Sequence, residues 1–148
     1  MKKRVLPPTY LLVALAALVA VHFLWPVTYL VFFPWNLLGI APLAAGVAIT
    51  LIADRAFKKA GTTVKPFEES ASLVTTGVFR ICRHPMYLGM TLILLGVAVL
   101  LGSLTPLIPV IVFPVLMELV FIRVEERMLE ETFGEAWAAY KRKVRRWV

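Results

Sequence analysis

The chain has 148 residues, of which 60% are hydrophobic, and its mean hydropathy is +0.83. Because soluble domains contain roughly 45–50% apolar residues, this composition excludes an ordinary water-soluble protein. The formal charge of +7 would favour nucleic acid as the partner of a soluble protein. In so apolar a chain, contact with anionic membrane lipid explains the charge better, and we predict no nucleic-acid partner.

The basic residues form three blocks that alternate with two uncharged regions. All sixteen Lys and Arg lie within 2–4, 55–83 or 123–146, whereas 5–53 and 84–117 contain no Asp, Glu, Lys or Arg. Each uncharged region is interpreted as a helical hairpin that crosses a membrane and returns, which places every basic residue on one side. Since basic loops favour the cytoplasm, we predict a protein of the bacterial inner membrane with both termini cytoplasmic.

The first predicted transmembrane helix covers residues 8–25. It begins at Pro8 and ends before Pro26, because proline suits a first helical turn but not a helix interior. Basic residues followed by small residues at 14–20 also resemble a secretory signal peptide. The apolar run continues through Trp25, so we predict an uncleaved helix followed by an aromatic outer turn at the membrane interface.

The second predicted helix, 37–57, returns to the cytoplasm. Gly39 and Gly46 are seven residues apart, so both face the same neighbouring helix. Residues 58–84 mix turn formers with short apolar pieces and have no sustained period. They are interpreted as an ordered cytoplasmic loop.

The third and fourth predicted helices are 85–101 and 107–122. Glycines at 89, 96 and 102 provide small packing faces for the third helix. Two prolines at 109 and 114 predict a kink or local opening in the fourth, whose freed backbone groups neighbouring helices must satisfy.

The tail, 123–148, has apolar residues every three or four positions opposite a basic face. This pattern predicts an amphipathic cytoplasmic helix, with Gly134 as a possible interruption. The predicted fold is therefore a single all-α domain, 1–148, with about four transmembrane helices and an amphipathic C-terminal helix.

Arg83, His84 and Tyr87 lie where the loop enters the third helix. A helix start presents free N–H groups and a positive dipole end, so an anionic group can bind there beside Arg83 and His84. Tyr87 follows His84 by three residues and shares its face. In a purely structural interpretation, the two basic residues instead anchor the helix among lipid headgroups.

Three carboxylates accompany the fourth helix. Glu125 and Glu126 follow its C-terminal end, where negative charge is unfavourable, so a cation should offset them. Arg123 and Arg127 are the structural candidates, and a cationic ligand is the functional one. Glu118 lies inside the apolar stretch and is interpreted either as a cavity-lining group or as a group near the surface.

The residues at the start of the third helix and the glutamates after the fourth together suit a zwitterionic ligand. Arg83 and His84 would bind its carboxylate, and a glutamate would bind its ammonium group. S-adenosylmethionine has such an end. The sequence contains no G-x-G-x-x-G and no alternation of strands and helices, so a nucleotide-binding sheet is not expected. No metal is predicted, because neither His22 nor His84 has an acidic cluster at ligand spacing. Cys82 is the only cysteine and is predicted to be an inert thiol.

Residues 61–148 resemble the membrane methyltransferases that include isoprenylcysteine carboxyl methyltransferase and phospholipid N-methyltransferase. The matching residues are Leu73-Val-Thr-Thr-Gly77, Phe79-Arg80, Arg83-His-Pro-Met-Tyr-Leu-Gly89, Glu125-Glu126, Leu129, Phe133-Gly134, Trp137, Tyr140 and Val144. The resemblance implies that S-adenosylmethionine is the methyl donor. It also implies a lipophilic or small acceptor, a carboxylate, thiol or amine, that comes from the bilayer.

The resemblance implies that the cofactor site is lined by Leu73, Val74, Phe79, His84, Pro85, Met86, Tyr87 and Glu125, to which the residue chemistry adds Arg83 and Glu126. Glu118, Phe121 and Arg123 are candidate acceptor contacts. Phe121 stands where the eukaryotic prenylcysteine enzymes place an arginine, and Arg123 lies about 200° further round an ideal helix. No catalytic base is assigned.

Two other functions remain open from the sequence. One is a non-catalytic membrane protein that packs against a partner, which the glycine faces and the basic amphipathic tail suggest. The other is a reductase built on a similar membrane scaffold.

Overall fold

The computed structural model describes residues 6–62 and 71–148, and within these ranges every regular element is helical. The predicted all-α fold class is thereby confirmed. The basic residues 2–4 and the middle of the predicted loop, 63–70, lie outside the described residues. The helices are α1 (Pro7–Leu24), α2 (Ile40–Lys59), α3 (Pro85–Leu101), α4 (Leu107–Met117) and α5 (Arg123–Lys143), with 3-10 turns at Trp35–Gly39 and Gly77–Arg80 and a π-helical turn at Glu118–Ile122.

Three helical stretches of the described chain are long and apolar enough to cross a membrane: Pro7–Leu24, Trp35–Lys59 and Leu107–Lys143. Pro85–Leu101 is a shorter apolar helix. Proline begins α1 and α3 within their first turns, as its fixed φ favours. Large apolar side chains remain exposed along α1, α2 and α4, which is the surface expected of helices that face lipid rather than water.

Glycines set the distance between α2 and α3. A Cβ atom added at Gly46 would lie 2.4 Å from the carbonyl oxygen of Gly89, and one added at Gly39 would lie 2.4 Å from that of Gly96. No other residue fits such a close backbone approach. The predicted common face of Gly39 and Gly46 is thus the α2–α3 contact.

The outer turn after α1 is tied to the turn between α3 and α4. The N–H groups of Leu30 and Val31 both donate to the Gly102 carbonyl, at 2.8 and 3.1 Å. Beside them, the buried His22 Nδ1 lies 2.7 Å from Ser103 Oγ. These contacts satisfy polar groups that would otherwise be costly in an apolar environment.

Beyond α4 the helical path continues through Glu118–Ile122 into α5. The chain therefore does not change direction at residue 122, where the sequence predicted the end of the fourth helix and the start of the tail. Pro114 lies inside α4, and a π-helical turn follows at Glu118–Ile122, in which the Arg123 N–H donates to the Glu118 carbonyl. Gly134, with φ 48° and ψ −116°, interrupts α5.

Two groups of side chains hold the elements together. Leu18, Leu94, Met117 and Ile122 are completely buried between α1, α3 and α4. Trp137 and Tyr140 form the apolar face of α5, and the Tyr140 hydroxyl donates to the Phe79 carbonyl at 2.6 Å. The second group fixes α5 against the segment that leads into α3.

Candidate functional site

A buried cluster of charged side chains lies where the start of α3 meets the start of α5. His84 caps α3, and Pro85 occupies the first helical position. Because proline sets the helix start, His84 and Tyr87 extend from the first turn of α3 toward Glu125 and Glu126. Residues predicted from two distant parts of the sequence are thus brought together.

His84 lies between the two adjacent carboxylates. Its Nε2 is 3.2 Å from Glu126 Oε1, and its Nδ1 is 3.6 Å from Glu125 Oε2. Burial lowers the pKa of the imidazole, but hydrogen bonds and charges from Glu125 and Glu126 outweigh burial, and the net shift of the pKa is upward. A doubly protonated imidazole donates at both nitrogens, which suits this position between two acceptors.

Tyr87 binds the other carboxylate. Its buried hydroxyl donates to Glu125 Oε1 at 2.5 Å. The Tyr87 ring stacks on Phe121, with centroids 6.3 Å apart, and Phe121 packs edge-on against Tyr10. Phe121, a predicted acceptor contact, is 1% exposed and belongs to the wall behind Tyr87.

Arg83 pairs with Glu126 at 2.9 Å and is almost completely buried. It also donates to the carbonyls of Lys141 and Val144, at 3.2 and 3.3 Å, and lies over the Trp137 ring. Arg83 Nε and Trp137 Nε1 are buried without a hydrogen-bond partner in the described part of the chain. Such orphaned donors indicate a place for an acceptor group.

Arg146 completes the cluster and was not predicted from the sequence. Its Nε and Nη2 donate to the two oxygens of Glu126, at 3.1 and 2.6 Å. Its Nη1 donates to Glu118 Oε1 at 3.0 Å. Among the described residues, the ion-pair partners of Glu125 and Glu126 are not Arg123 and Arg127, the structural candidates named from the sequence. Arg83 and Arg146 pair with Glu126, and Tyr87 and His84 lie against Glu125.

Glu118 has two basic neighbours. Besides Arg146, it lies 3.5 Å from Arg123, whose side chain is largely exposed. Glu118 itself is about one quarter exposed, so it lies at the edge of the cluster rather than in a closed intramembrane cavity.

No sequence signal pointed to Arg146, since Arg146 and its basic neighbours look like the ordinary polar face of an amphipathic helix.

The remaining predicted cofactor residues come from the segment before α3 and from the first turn of α3. Pro85 and Phe79 are buried, and Phe79 packs edge-on against Phe57 with centroids 5.0 Å apart. Val74 and Met86 are half-buried. Leu73 lines an open groove of about 690 Å³ together with Thr75, Thr76, Arg80, Ala136, Ala139, Tyr140, Lys143 and Val144.

Apolar helices that carry a buried cluster of charged side chains at one end define a polytopic membrane protein. The family described as phospholipid methyltransferase matches residues 34–136. That match exceeds half of the chain, so the chain belongs to this family of membrane methyltransferases. The match includes α2, for which the sequence motifs gave no similarity, and ends before Arg146.

A relative in Haemophilus influenzae (strain ATCC 51907 / DSM 11121 / KW20 / Rd) is described as an uncharacterized protein. It is 41% identical over 63 residues, which are 43% of this chain and all of the relative. No solved structure matches the chain significantly.

Proposed function

We propose that the chain transfers a methyl group from S-adenosylmethionine to a lipophilic or small acceptor at the cytoplasmic face of the bacterial inner membrane. Family membership supports the class of reaction. The observation that carries the cofactor assignment is the position of His84 and Tyr87, at the start of α3, against Glu125 and Glu126. The distribution of basic residues supports the orientation in the membrane.

The donor set fits the amino-acid end of this cofactor. Glu125 is a half-buried carboxylate that can accept hydrogen bonds from an ammonium group. The orphaned Arg83 Nε and the N-terminal end of α3 suit a carboxylate. The adjoining groove, which Leu73 lines, offers room for the nucleoside.

When bound, the cofactor supplies a methyl group that its sulfonium already activates. The residues of the chain then have to hold and orient two reactants and exclude water, and such positioning can supply roughly 7–11 kcal/mol. A carboxylate or thiolate acceptor requires no proton removal, whereas an ammonium acceptor must first lose a proton. We therefore assign binding and orienting roles to His84, Tyr87 and Glu125, and no catalytic base.

Isothermal titration with S-adenosylmethionine and its demethylated product tests the proposal on purified protein in lipid nanodiscs. His84→Ala and Glu125→Ala should each weaken binding about ten-fold or more, because each removes a charged partner from the cluster. Arg142→Ala, at an exposed position of α5, is the matched control. Absence of binding in every lipid or detergent would overturn the cofactor assignment.

The methyl acceptor can be identified with radiolabelled cofactor and total membrane lipid. Incubation with the protein should label one lipid or lipophilic species, which chromatography and mass spectrometry then identify. The His84→Ala protein should leave the same species unlabelled. Labelling that does not depend on His84 would assign the activity to a contaminant.

The glycine faces that motivated a non-catalytic packing function lie inside the chain, between α2 and α3. They are therefore not available to a partner. Of the two features that motivated this alternative, only the basic amphipathic tail remains. A reductase would be recognised by binding of a nicotinamide cofactor in the same titration. We expect no such binding.

A further inference from the structure

Arg146 is positioned by the backbone around it. The Cys82 thiol donates to the Arg146 carbonyl at 3.3 Å, and the Arg83 N–H donates to the Arg145 carbonyl at 3.0 Å. The next residue, Trp147, packs against the core. The guanidinium group is therefore presented by a docked tail and does not depend on its ion pairs alone.

Two arginines bind Glu126, but only one is accessible. The side chain of Arg83 is 7% exposed and that of Arg146 is 35% exposed. Three hydrogen bonds join Arg146 to Glu126 and Glu118, and a guanidinium has five N–H donors. Arg146 can therefore bind a further oxygen while it keeps its two bonds to Glu126.

Glu118 is the more exposed of the two carboxylates that bind Arg146: its side chain is 27% exposed, against 11% for Glu126. Glu118 directs one oxygen to Arg146 Nη1 at 3.0 Å and is also 3.5 Å from Arg123. If a ligand anion replaced Glu118 at Nη1, Arg123 would keep the displaced carboxylate paired, so no charge would be left isolated. Since Glu118 directly follows the apolar helix α4, this exchange would take place at the edge of the membrane segment.

We propose that Arg146 binds the anionic group of the methyl acceptor, a carboxylate or a phosphate, at the position that the Glu118 carboxylate occupies. This inference rests on the proposed methyl transfer and deepens it. Arg146 would make the site select acceptors that carry an anion close to the methylated atom. A guanidinium matches both anions because its planar fork binds two oxygens at once.

The test measures the binding of three amphiphilic probes, each with one alkyl chain, to the full-length protein. The protein is kept in an uncharged detergent and is saturated with the demethylated cofactor. The probes are dodecanoate, dodecyl phosphate and uncharged dodecanol, and their binding is followed by tryptophan fluorescence. One or both anions should bind about ten-fold more tightly than dodecanol. The preferred anion distinguishes a carboxylate acceptor from a phosphate acceptor.

Arg146→Gln should reduce the affinity for the anion to that for dodecanol, and Arg146→Lys should restore part of it. Arg145→Gln removes the same charge from the neighbouring exposed side chain and should change nothing. Glu118→Gln leaves Arg146 in place and should strengthen anion binding, which keeps the test valid if Arg146→Gln fails to fold.

Equal binding of anions and dodecanol by the wild-type chain would overturn the inference. A loss of anion binding in Arg145→Gln equal to that in Arg146→Gln would also overturn it, because it would indicate a diffuse charge effect. A titration with the demethylated cofactor is run separately. Its failure in the wild-type chain would refute the proposed function itself.

Discussion

His84 Nε2 lies 3.2 Å from Glu126 Oε1, although 42 positions separate the two residues. This contact joins the start of α3 to the first turn of α5 inside the site proposed for the cofactor. The same charges therefore contribute to the fold and to the candidate site, and substitutions there should change both properties.

Glu126→Gln should destabilise the folded chain by about 3 kcal/mol, because it leaves two arginines beside an uncharged group in a largely buried position. The measurement is denaturant unfolding in detergent micelles. Glu130→Gln is the control, since Glu130 is exposed and pairs with Lys141 at 3.4 Å. This control should change stability by no more than about 0.5 kcal/mol. Equal effects of the two substitutions would contradict the buried cluster.

Stability should decrease as the pH rises from 6.5 through the folded pKa of His84. The folded pKa of His84 is raised above its ordinary value of 6.5 by Glu125 and Glu126, against the effect of burial. Its protonated form therefore contributes stability that is complete below 6.5 and is lost as the pH rises through the folded pKa. Unfolding measured across this window should show the decrease, and His84→Gln should remove it. A wild-type stability that rises through this window would contradict the assignment.

Gly46→Ala should destabilise the α2–α3 pair by about 1–3 kcal/mol, because the added methyl group meets backbone rather than a movable side chain. Thermal unfolding followed by circular dichroism gives the shift. Ala45→Leu, at an exposed position on the same helix, is the matched control and should have little effect. An unchanged midpoint in Gly46→Ala would contradict this contact. It would mean that α2 and α3 are further apart than the distance of 2.4 Å between the added Cβ and the carbonyl oxygen implies.

Cys82 should react slowly with a maleimide. It is 1% exposed, and burial raises the pKa of its thiol, which lowers the thiolate fraction. Labelling should be on the order of 100-fold slower in the folded chain than in SDS, where the thiol is exposed. Ile81→Cys in a Cys82→Ser background gives an exposed neighbour for comparison. Similar rates at positions 81 and 82 would show that the tail does not cover Cys82.

Much of the fold could be predicted because membrane helices follow simple rules. Uncharged runs and prolines at helix starts led to four apolar helices, and glycine spacing led to a common packing face of Gly39 and Gly46. The continuous path through Glu118–Ile122 could not be predicted, since a π-helical turn depends on how α4 packs and has no composition of its own. The sequence pattern instead suggested a boundary at 122.

Part of the candidate site was predictable because its residues lie at the ends of predicted helices. His84, Tyr87, Glu125 and Glu126 were expected together, and the structure places them within hydrogen-bonding or ion-pair distance. Their roles toward a cofactor remain predictions. Arg146 was missed because its position depends on the tail folding back over Arg83, and periodicity carries no information about such a return.

The π-helical turn also determines which way the carboxylates point. Each residue of an α-helix advances the chain by about 100° around the helix axis. The wide turn at Glu118–Ile122 therefore changes the direction in which the side chains of α5 point. Deletion of a single residue there, with α4 and α5 otherwise unchanged, would rotate Glu125 and Glu126 away from His84. The length of this short segment therefore constrains the site as strictly as the identity of its charged residues.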